Sequence, residues 1–124
     1  RECAVEATAV AFIENMAAAY ESADLVICRA GATTVAELAA AGVASILVPF
    51  PFAVDDHQTA NARFLSDQGA AVLLPQRDLS PRALADLLLG LSRERIFEMA
   101  NKARTLGKPE ATRAVADICM AAAA

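Results

Sequence analysis

Residues 24–49, DLVICRAGATTVAELAAAGVASILVP, place two short apolar runs on either side of an alanine-rich segment. The first run, at 24–28, is typical of a buried parallel strand, and the second, at 45–49, leads into a proline-containing loop. The segment TVAELAAAG has helical spacing and closes at Gly42, which suits the left-handed conformation that ends many helices. The stretch therefore predicts a strand, a crossover helix and a second parallel strand.

The same alternation continues along the chain. A helix is predicted over 57–69, with Asp55 or Asp56 as its N-cap, and a third strand over 70–75. After that point only helices are predicted, over 80–91, over 93–105 and from Pro109 to the end. The fold class is therefore α/β, a Rossmann-like parallel sheet with a helical C-terminal end.

The segment before the first strand carries weaker patterns. Residues 3–8 alternate enough to suggest a short strand. Residues 12–22 predict a helix, since four large side chains recur on one face at helical spacing. These side chains are Phe12, Ile13, Met16 and Tyr20.

Composition narrows the classes of function. The sequence is 56% hydrophobic and 21% charged, an ordinary soluble α/β composition, and its net charge of −4 does not favour a nucleic-acid partner. No apolar run approaches the length of a membrane span. The sole histidine, His57, argues against a metal site. Cys3, Cys28 and Cys119 are interpreted as reduced, mostly buried thiols.

The loop RAGATT follows the first strand, at the sheet edge where open α/β proteins bind their ligands. Gly31 permits a tight turn or a close backbone approach to a ligand. Thr34 and Glu37 fit a capping box, which would leave the N–H groups of Ala32, Thr33 and Thr34 facing outward to bind a phosphate. The alternative is an ordinary strand–helix turn that binds nothing.

A second polar loop, PFPFAVDDHQTANA, follows the next strand and lies at the same edge. It carries Asp55, Asp56, His57, Gln58 and Asn61 within seven residues. Each also has a plain structural interpretation, as a helix cap, a surface or packing residue, or a solvated or core-facing amide. Together with the first loop they favour a polyhydroxylated, phosphorylated ligand, because amides both donate to and accept from sugar hydroxyls.

The motifs RAGATTVAEL, ILVPFPFA and DHQTANA closely resemble the C-terminal part of the MurG family. These are the UDP-N-acetylglucosamine–N-acetylmuramyl-(pentapeptide) pyrophosphoryl-undecaprenol N-acetylglucosamine transferases. The resemblance extends over nearly the whole chain. It implies a GT-B glycosyltransferase fold, in which two Rossmann-like domains face each other across a cleft. Residues 1–124 would then be part of the C-terminal domain, which binds the donor UDP-GlcNAc.

The resemblance also implies an activity and its partners. The family transfers GlcNAc, with inversion, to the MurNAc 4-hydroxyl of lipid I, giving lipid II in peptidoglycan synthesis. The N-terminal domain binds lipid I at the cytoplasmic face of the bacterial inner membrane, where the enzyme is peripheral. No cofactor, metal or nucleic acid is expected. The general base is expected in the N-terminal domain, so no catalytic residue is assigned in this chain.

Carried over by residue, the donor-binding run of the family falls on Ala32, Thr33, Thr34, Val35, Ala36 and Glu37. The backbone amides at its start would hold the phosphates, and Glu37 would hold the ribose hydroxyls, a role that competes with the capping box. Gln58 would hold the GlcNAc hydroxyls, and His57 would make a contact. Gly31 and Asn61 are further candidates.

The chain corresponds to the last third of the family's length, and no G-G-S loop occurs in it. We therefore expect a soluble fragment that carries part of a donor site, lacks the N-terminal acceptor domain and has no transferase activity alone. Two alternatives stay open: another GT-B transferase with a different acceptor, or a non-catalytic α/β binding module. The apolar stripes of the helical end are predicted to pack in the core, at Leu84, Leu87, Leu88, Leu91, Ile96 and Met99. The last helix is expected to expose an apolar face.

Overall fold

A computed structural model of the protein describes residues 5–52, 54–108 and 110–123. It contains three strands: β1 (Leu25–Cys28), β2 (Ala44–Leu47) and β3 (Ala71–Leu73). The helices are α1 (Met16–Ser22), α2 (Ala32–Ala41), α3 (His57–Ser66), α4 (Pro81–Gly90), α5 (Arg93–Leu106) and α6 (Ala111–Ala123). Two single 3-10 turns lie at Val54–Asp56 and Gln76–Asp78.

The strands form one parallel sheet in the order β1-β2-β3. Leu25 of β1 is in register with Ala44 of β2, and Ser45 of β2 is in register with Ala71 of β3. Helices α2 and α3 make the two connections, as the alternation of apolar runs and helical segments predicted. The predicted α/β fold with a parallel sheet is therefore confirmed.

The core lies around β2, which is buried along its whole length because helices cover it. Helix α5 packs against both α2 and β2, and α3 packs against β3 and α2. The largest fully buried apolar side chains come from these elements: Leu38, Ile46, Leu47, Leu65 and Met99. Gly42 ends α2 with φ 66°, the left-handed conformation that the sequence predicted.

The N-terminal segment differs from its prediction. Residues 5–8 have no strand, so the predicted strand at 3–8 is wrong there, and residues 3 and 4 lie outside the described part. Helix α1 begins only at Met16, because the Asn15 side chain accepts a hydrogen bond from the N–H of Ala18 and caps it there. Phe12 lies outside the helix and is 78% exposed.

The helical C-terminal end is confirmed, and the Ser80 and Ser92 side chains cap α4 and α5. Met99 is buried, but Leu88 is exposed, so its predicted place in the core is wrong. Leu84, Leu87, Leu91 and Ile96 are half-buried, since few elements pack on α4. The expected apolar face of α6 is present, with Val115, Ile118 and Met120 exposed.

Two described cysteines are free thiols, and they differ in exposure. Cys28 is half-buried on β1, and burial raises the pKa of its thiol. Cys119 is exposed on α6, so the prediction of a buried thiol is wrong at that position, while Cys3 lies outside the described residues. Among the described helices, none combines the length and the hydropathy that crossing a bilayer requires.

Candidate functional site

The loops after β1 and β2 leave the same edge of the parallel sheet, and the first of them leads directly into α2. Gly31 is the N-cap of α2, with extended backbone angles of φ −64° and ψ 149°. The first hydrogen bond of the helix runs from the Val35 N–H to the Gly31 carbonyl at 2.9 Å. The N–H groups of Ala32, Thr33 and Thr34 precede that bond and face out of the helix end, as an anion-binding site requires.

The capping box predicted for Thr34 and Glu37 is wrong. The helix begins three residues earlier than that box requires, so Thr34 is its third residue and Glu37 its sixth. Gly31 does not adopt a conformation that only glycine reaches, so of the two predicted reasons for this glycine the close backbone approach to a ligand remains. A Cβ atom at Gly31 would meet only the Thr34 Oγ1 atom, at 3.8 Å, which leaves open space in front of this backbone.

The remaining residues of the predicted donor-binding run differ in exposure. Ala32, Thr33 and Ala36 are exposed, and Thr34 and Glu37 are half-buried. Val35 is buried in the core, and its N–H is occupied by the Gly31 carbonyl. Only the exposed and half-buried members are therefore placed to touch a ligand through side chains.

Glu37 lies on the wall of a cleft of about 1060 Å³ between α1, α2 and α5. Tyr20, Arg93, Phe97 and Arg104 also line it. Burial raises the pKa of the Tyr20 phenol, and the nearby carboxylate of Glu37 raises that pKa further. Glu37 follows Thr34 by one turn of helix, roughly 4.5 Å along the axis. A ligand whose phosphate met the helix end could reach this carboxylate with its next polar group.

Gln58, near the start of α3, joins the two loops. Its Oε1 atom accepts hydrogen bonds from the backbone N–H groups of Ala30, at 3.2 Å, and of Phe50, at 2.8 Å. The amide carbonyl is therefore engaged by the protein itself. The group that Gln58 offers to a ligand is its NH2, which donates hydrogen bonds and suits the oxygen of a hydroxyl.

Asn61 lies one turn further along α3 and acts on the same loop. Its Nδ2 atom donates to the Ala30 carbonyl at 3.0 Å. Ala30 is fully buried, so α3 satisfies both of its backbone polar groups. Asn61 was predicted to be either a ligand contact or a solvated or core-facing amide, and its role in positioning Ala30 was not predicted. In the sequence, this role was indicated only by the three-residue spacing that places the Gln58 and Asn61 amides on one face of the same helix.

The remaining polar residues of the second loop have local roles. Asp55 and Asp56 both have positive φ, at 53° and 54°. Asp56 occupies the N-cap position of α3 as predicted, but its carboxylate accepts from the Thr59 hydroxyl at 2.6 Å instead of capping the backbone. His57 is the exposed first residue of α3. Among the described residues, no group of three or more His, Cys, Asp or Glu side chains could hold a metal ion.

Two aromatic rings and an arginine at this edge were missed at the sequence level. Phe50 and Phe52 lie in the loop after β2, and their ring centroids are 5.7 Å apart at an interplanar angle of 74°. The Arg29 guanidinium lies 5.5 Å from the centroid of Phe50. Its Nη1 atom is 3.4 Å from the carbonyls of both Val48 and Pro49. The FPF sequence after a strand was the only signal.

A parallel α/β sheet with a free helix N-terminus, an amide and a carboxylate near one edge is typical of nucleotide-binding domains. The chain belongs to glycosyltransferase family 28, whose C-terminal domain matches residues 2–117. This finding agrees with the fold and with the resemblance seen in the motifs.

Several similar proteins carry one name, UDP-N-acetylglucosamine–N-acetylmuramyl-(pentapeptide) pyrophosphoryl-undecaprenol N-acetylglucosamine transferase. The relative from Nitrosospira multiformis is 65% identical over 119 residues, which are 96% of this chain and 33% of the relative. The one from Dechloromonas aromatica is 67% identical over 115 residues, which are 93% and 32% of the two chains. The chain thus spans about a third of the length of these relatives.

A crystal structure of Acinetobacter baumannii MurG has a similar fold. The TM-score is 0.83 and the sequence identity is 55%, over 88% of this chain and 33% of that one. The predicted resemblance to the C-terminal part of the MurG family is therefore confirmed.

Proposed function

We propose that this chain is the donor-binding part of an inverting glycosyltransferase of the MurG type. The donor is UDP-GlcNAc, the acceptor is lipid I, and the product is lipid II, a precursor of peptidoglycan. The names of the relatives support this substrate pair. One observation carries the proposal: Gln58 and Asn61 hold Ala30, two residues before α2, and so fix the position of the helix whose free N-terminus is followed by Glu37.

In this proposal the donor lies along the first two turns of α2. The N–H groups of Ala32, Thr33 and Thr34 bind the pyrophosphate, and the carboxylate of Glu37 accepts from the ribose hydroxyls. The NH2 group of Gln58 donates to a hydroxyl of GlcNAc. Gly31 allows the donor to approach the backbone, since the space in front of its Cα is open.

The chemical contribution of these residues is electrostatic. When the bond from GlcNAc to UDP breaks, negative charge develops on the departing pyrophosphate. The N-terminus of α2 carries a partial positive charge that is already oriented, so it stabilises that charge without reorganisation. Proton removal from the acceptor hydroxyl belongs to residues of an N-terminal acceptor domain, which also binds lipid I. The complete enzyme would act at the cytoplasmic face of the inner membrane as a peripheral protein.

A chimera tests the proposal directly. The 119 matched residues of the Nitrosospira multiformis relative are replaced by those of this chain, and transfer of labelled GlcNAc to a lipid I analogue is measured. We expect transfer from UDP-GlcNAc and its loss in Glu37→Ala, while Asp86→Asn on exposed α4 keeps full activity. Transfer from a different UDP-sugar, with none from UDP-GlcNAc, would identify a different GT-B transferase. A folded chimera that transfers nothing, beside an active parent, would favour a non-catalytic binding module.

A further inference from the structure

Two phenylalanine rings stand exposed beside the proposed donor site without a role in the folded core. Phe50 is 41% exposed and Phe52 is 81% exposed. Their rings meet edge to face, at 5.7 Å and 74°, so they form one apolar surface, here called the FPF platform (Phe50 and Phe52). Paired exposed aromatic rings at a ligand-binding edge commonly mark a contact surface.

The FPF platform is fixed to the site by its own backbone. The Phe50 N–H donates to the same Oε1 atom of Gln58 that accepts from the Ala30 N–H. The platform therefore begins within hydrogen-bonding distance of the atom that positions the start of α2. This arrangement places the rings at the end of the proposed site where the sugar, and not the ribose, would lie.

Arg29 determines which ring of the platform is free to contact a ligand. Its guanidinium lies over the Phe50 ring at 5.5 Å, a cation–π distance that occupies part of that ring's surface. The Nη1 atom also approaches the carbonyls of Val48 and Pro49. Phe50 is thus a support, and Phe52 is the ring with a free surface.

We propose that Phe52, supported by Phe50, stacks against the pyranose ring of the nucleotide-sugar donor. A hexopyranose has one face rich in C–H groups, which are attracted to the electron-rich face of an aromatic ring. Its hydroxyls point around the rim, where the Gln58 NH2 can donate to them. The two contacts together distinguish a sugar nucleotide from a nucleotide alone. This inference rests on the proposed function and adds Phe52 as a residue that recognises the sugar.

The test compares UDP-GlcNAc with UDP in calorimetric titrations of the chimera described above. In Phe52→Ala, we expect the affinity for UDP-GlcNAc to fall by about three- to tenfold, while the affinity for UDP is unchanged. Phe52→Tyr keeps the ring and should restore UDP-GlcNAc binding. Leu89→Ala, at a site that is 86% exposed on α4, is the matched control and should change neither affinity.

The failures of the two proposals can be distinguished. Equal loss of UDP and UDP-GlcNAc affinity in Phe52→Ala, or no loss of either, overturns the platform alone. A rise in the KM for the lipid acceptor with unchanged donor affinity also overturns it, because the ring would then contact the acceptor. A chimera without saturable UDP-GlcNAc binding overturns both the platform and the proposed function.

Discussion

The side-chain oxygen of Gln58 lies 3.2 Å from the backbone nitrogen of Ala30, which precedes it by 28 residues. From the next turn of the same helix, Asn61 donates to the Ala30 carbonyl at 3.0 Å. Ala30 is fully buried, so both of its polar groups depend on α3 for hydrogen bonds. The position of the loop before α2 is therefore determined by a helix that is distant in sequence.

Replacing Gln58 tests that dependence. In Gln58→Ala, we expect the free energy of unfolding to fall by about 1–3 kcal/mol, because the buried Ala30 N–H loses its acceptor. UDP-GlcNAc binding should weaken as well. Urea denaturation measures the first effect. Gln68→Ala, at an exposed position beyond the other end of α3, is the control and should leave stability unchanged. Equal stability of the two variants would show that Gln58 does not hold the loop.

Asn61 offers a second test, of the hydrogen bond to the carbonyl of Ala30 rather than of the one from its N–H. Asn61→Ala removes the hydrogen bond to the Ala30 carbonyl and should cost about 1–3 kcal/mol of unfolding free energy. Asn61→Asp should cost more, since it places a carboxylate oxygen against that carbonyl. The measurement is again the denaturation midpoint, with Asn101→Asp on the exposed side of α5 as control. An Asp variant as stable as the original chain would contradict the assigned contact.

Gly107 tests the packing of α5 on α2. A Cβ atom there would lie 2.7 Å from the Ala39 carbonyl oxygen and 3.1 Å from the Ala40 Cα atom. The backbone angles of Gly107, φ −69° and ψ 151°, are open to any residue, so the conflict is purely steric. Because the obstacle is backbone, Gly107→Ala should destabilise the protein by about 1–3 kcal/mol.

Gly90 is the matched control for that substitution. A Cβ atom at Gly90 meets nothing within 4 Å, and the residue ends α4. Gly90→Ala should therefore be neutral or should stabilise by about 0.4–1 kcal/mol, through the lower entropy of the unfolded chain. Similar midpoints for the two alanine variants in thermal unfolding would disprove the close approach of α5 to α2.

Tyr20 is the only tyrosine, and the chain has no tryptophan, so its phenolate absorbance can be titrated alone. We expect a pKa above the ordinary value of about 10, chiefly through burial and secondarily through Glu37. Glu37→Gln should lower that pKa but leave it raised, while Asp86→Asn should not move it. An identical titration curve in Glu37→Gln would show that the Glu37 carboxylate does not act on the Tyr20 phenol.

The same pKa shift has a consequence for stability. The native state holds the phenol proton more tightly than the unfolded state, so unfolding is linked to proton release at high pH. The stabilisation is complete below the unfolded-state pKa and is lost as the pH rises towards the folded-state pKa. Tyr20→Phe should flatten the decline in unfolding free energy above the ordinary tyrosine pKa, as denaturation at a series of pH values would show.

The central α/β unit was predictable because its signals are local. The apolar runs became β1 and β2, and Gly42 ended α2 as its left-handed conformation required. The start of α2 was misplaced because the T-x-x-E pattern at Thr34 looked like a cap, although Gly31 serves as N-cap without a side chain. A sequence pattern can identify a capping motif, but it does not show at which residue the helix begins.

The sequence indicated which polar residues lie near the sheet edge, but not how they are connected to one another. Gln58 and Asn61 were identified as polar residues near a ligand, yet their contacts to Ala30 cross about 30 residues and depend on how α3 packs. The exposed rings of Phe50 and Phe52 gave no periodic signal at all. Contacts between distant segments arise from tertiary packing, which local propensity does not encode.

The most direct test of the central claim is a nuclear magnetic resonance titration of the nitrogen-labelled chain with UDP-GlcNAc. We expect saturable shifts of the Ala32, Thr33 and Thr34 amides, weakened in Glu37→Ala and retained in Asp86→Asn. Saturable shifts that appear only on α5 and α6, while those three amides do not respond, would contradict a donor site at the start of α2.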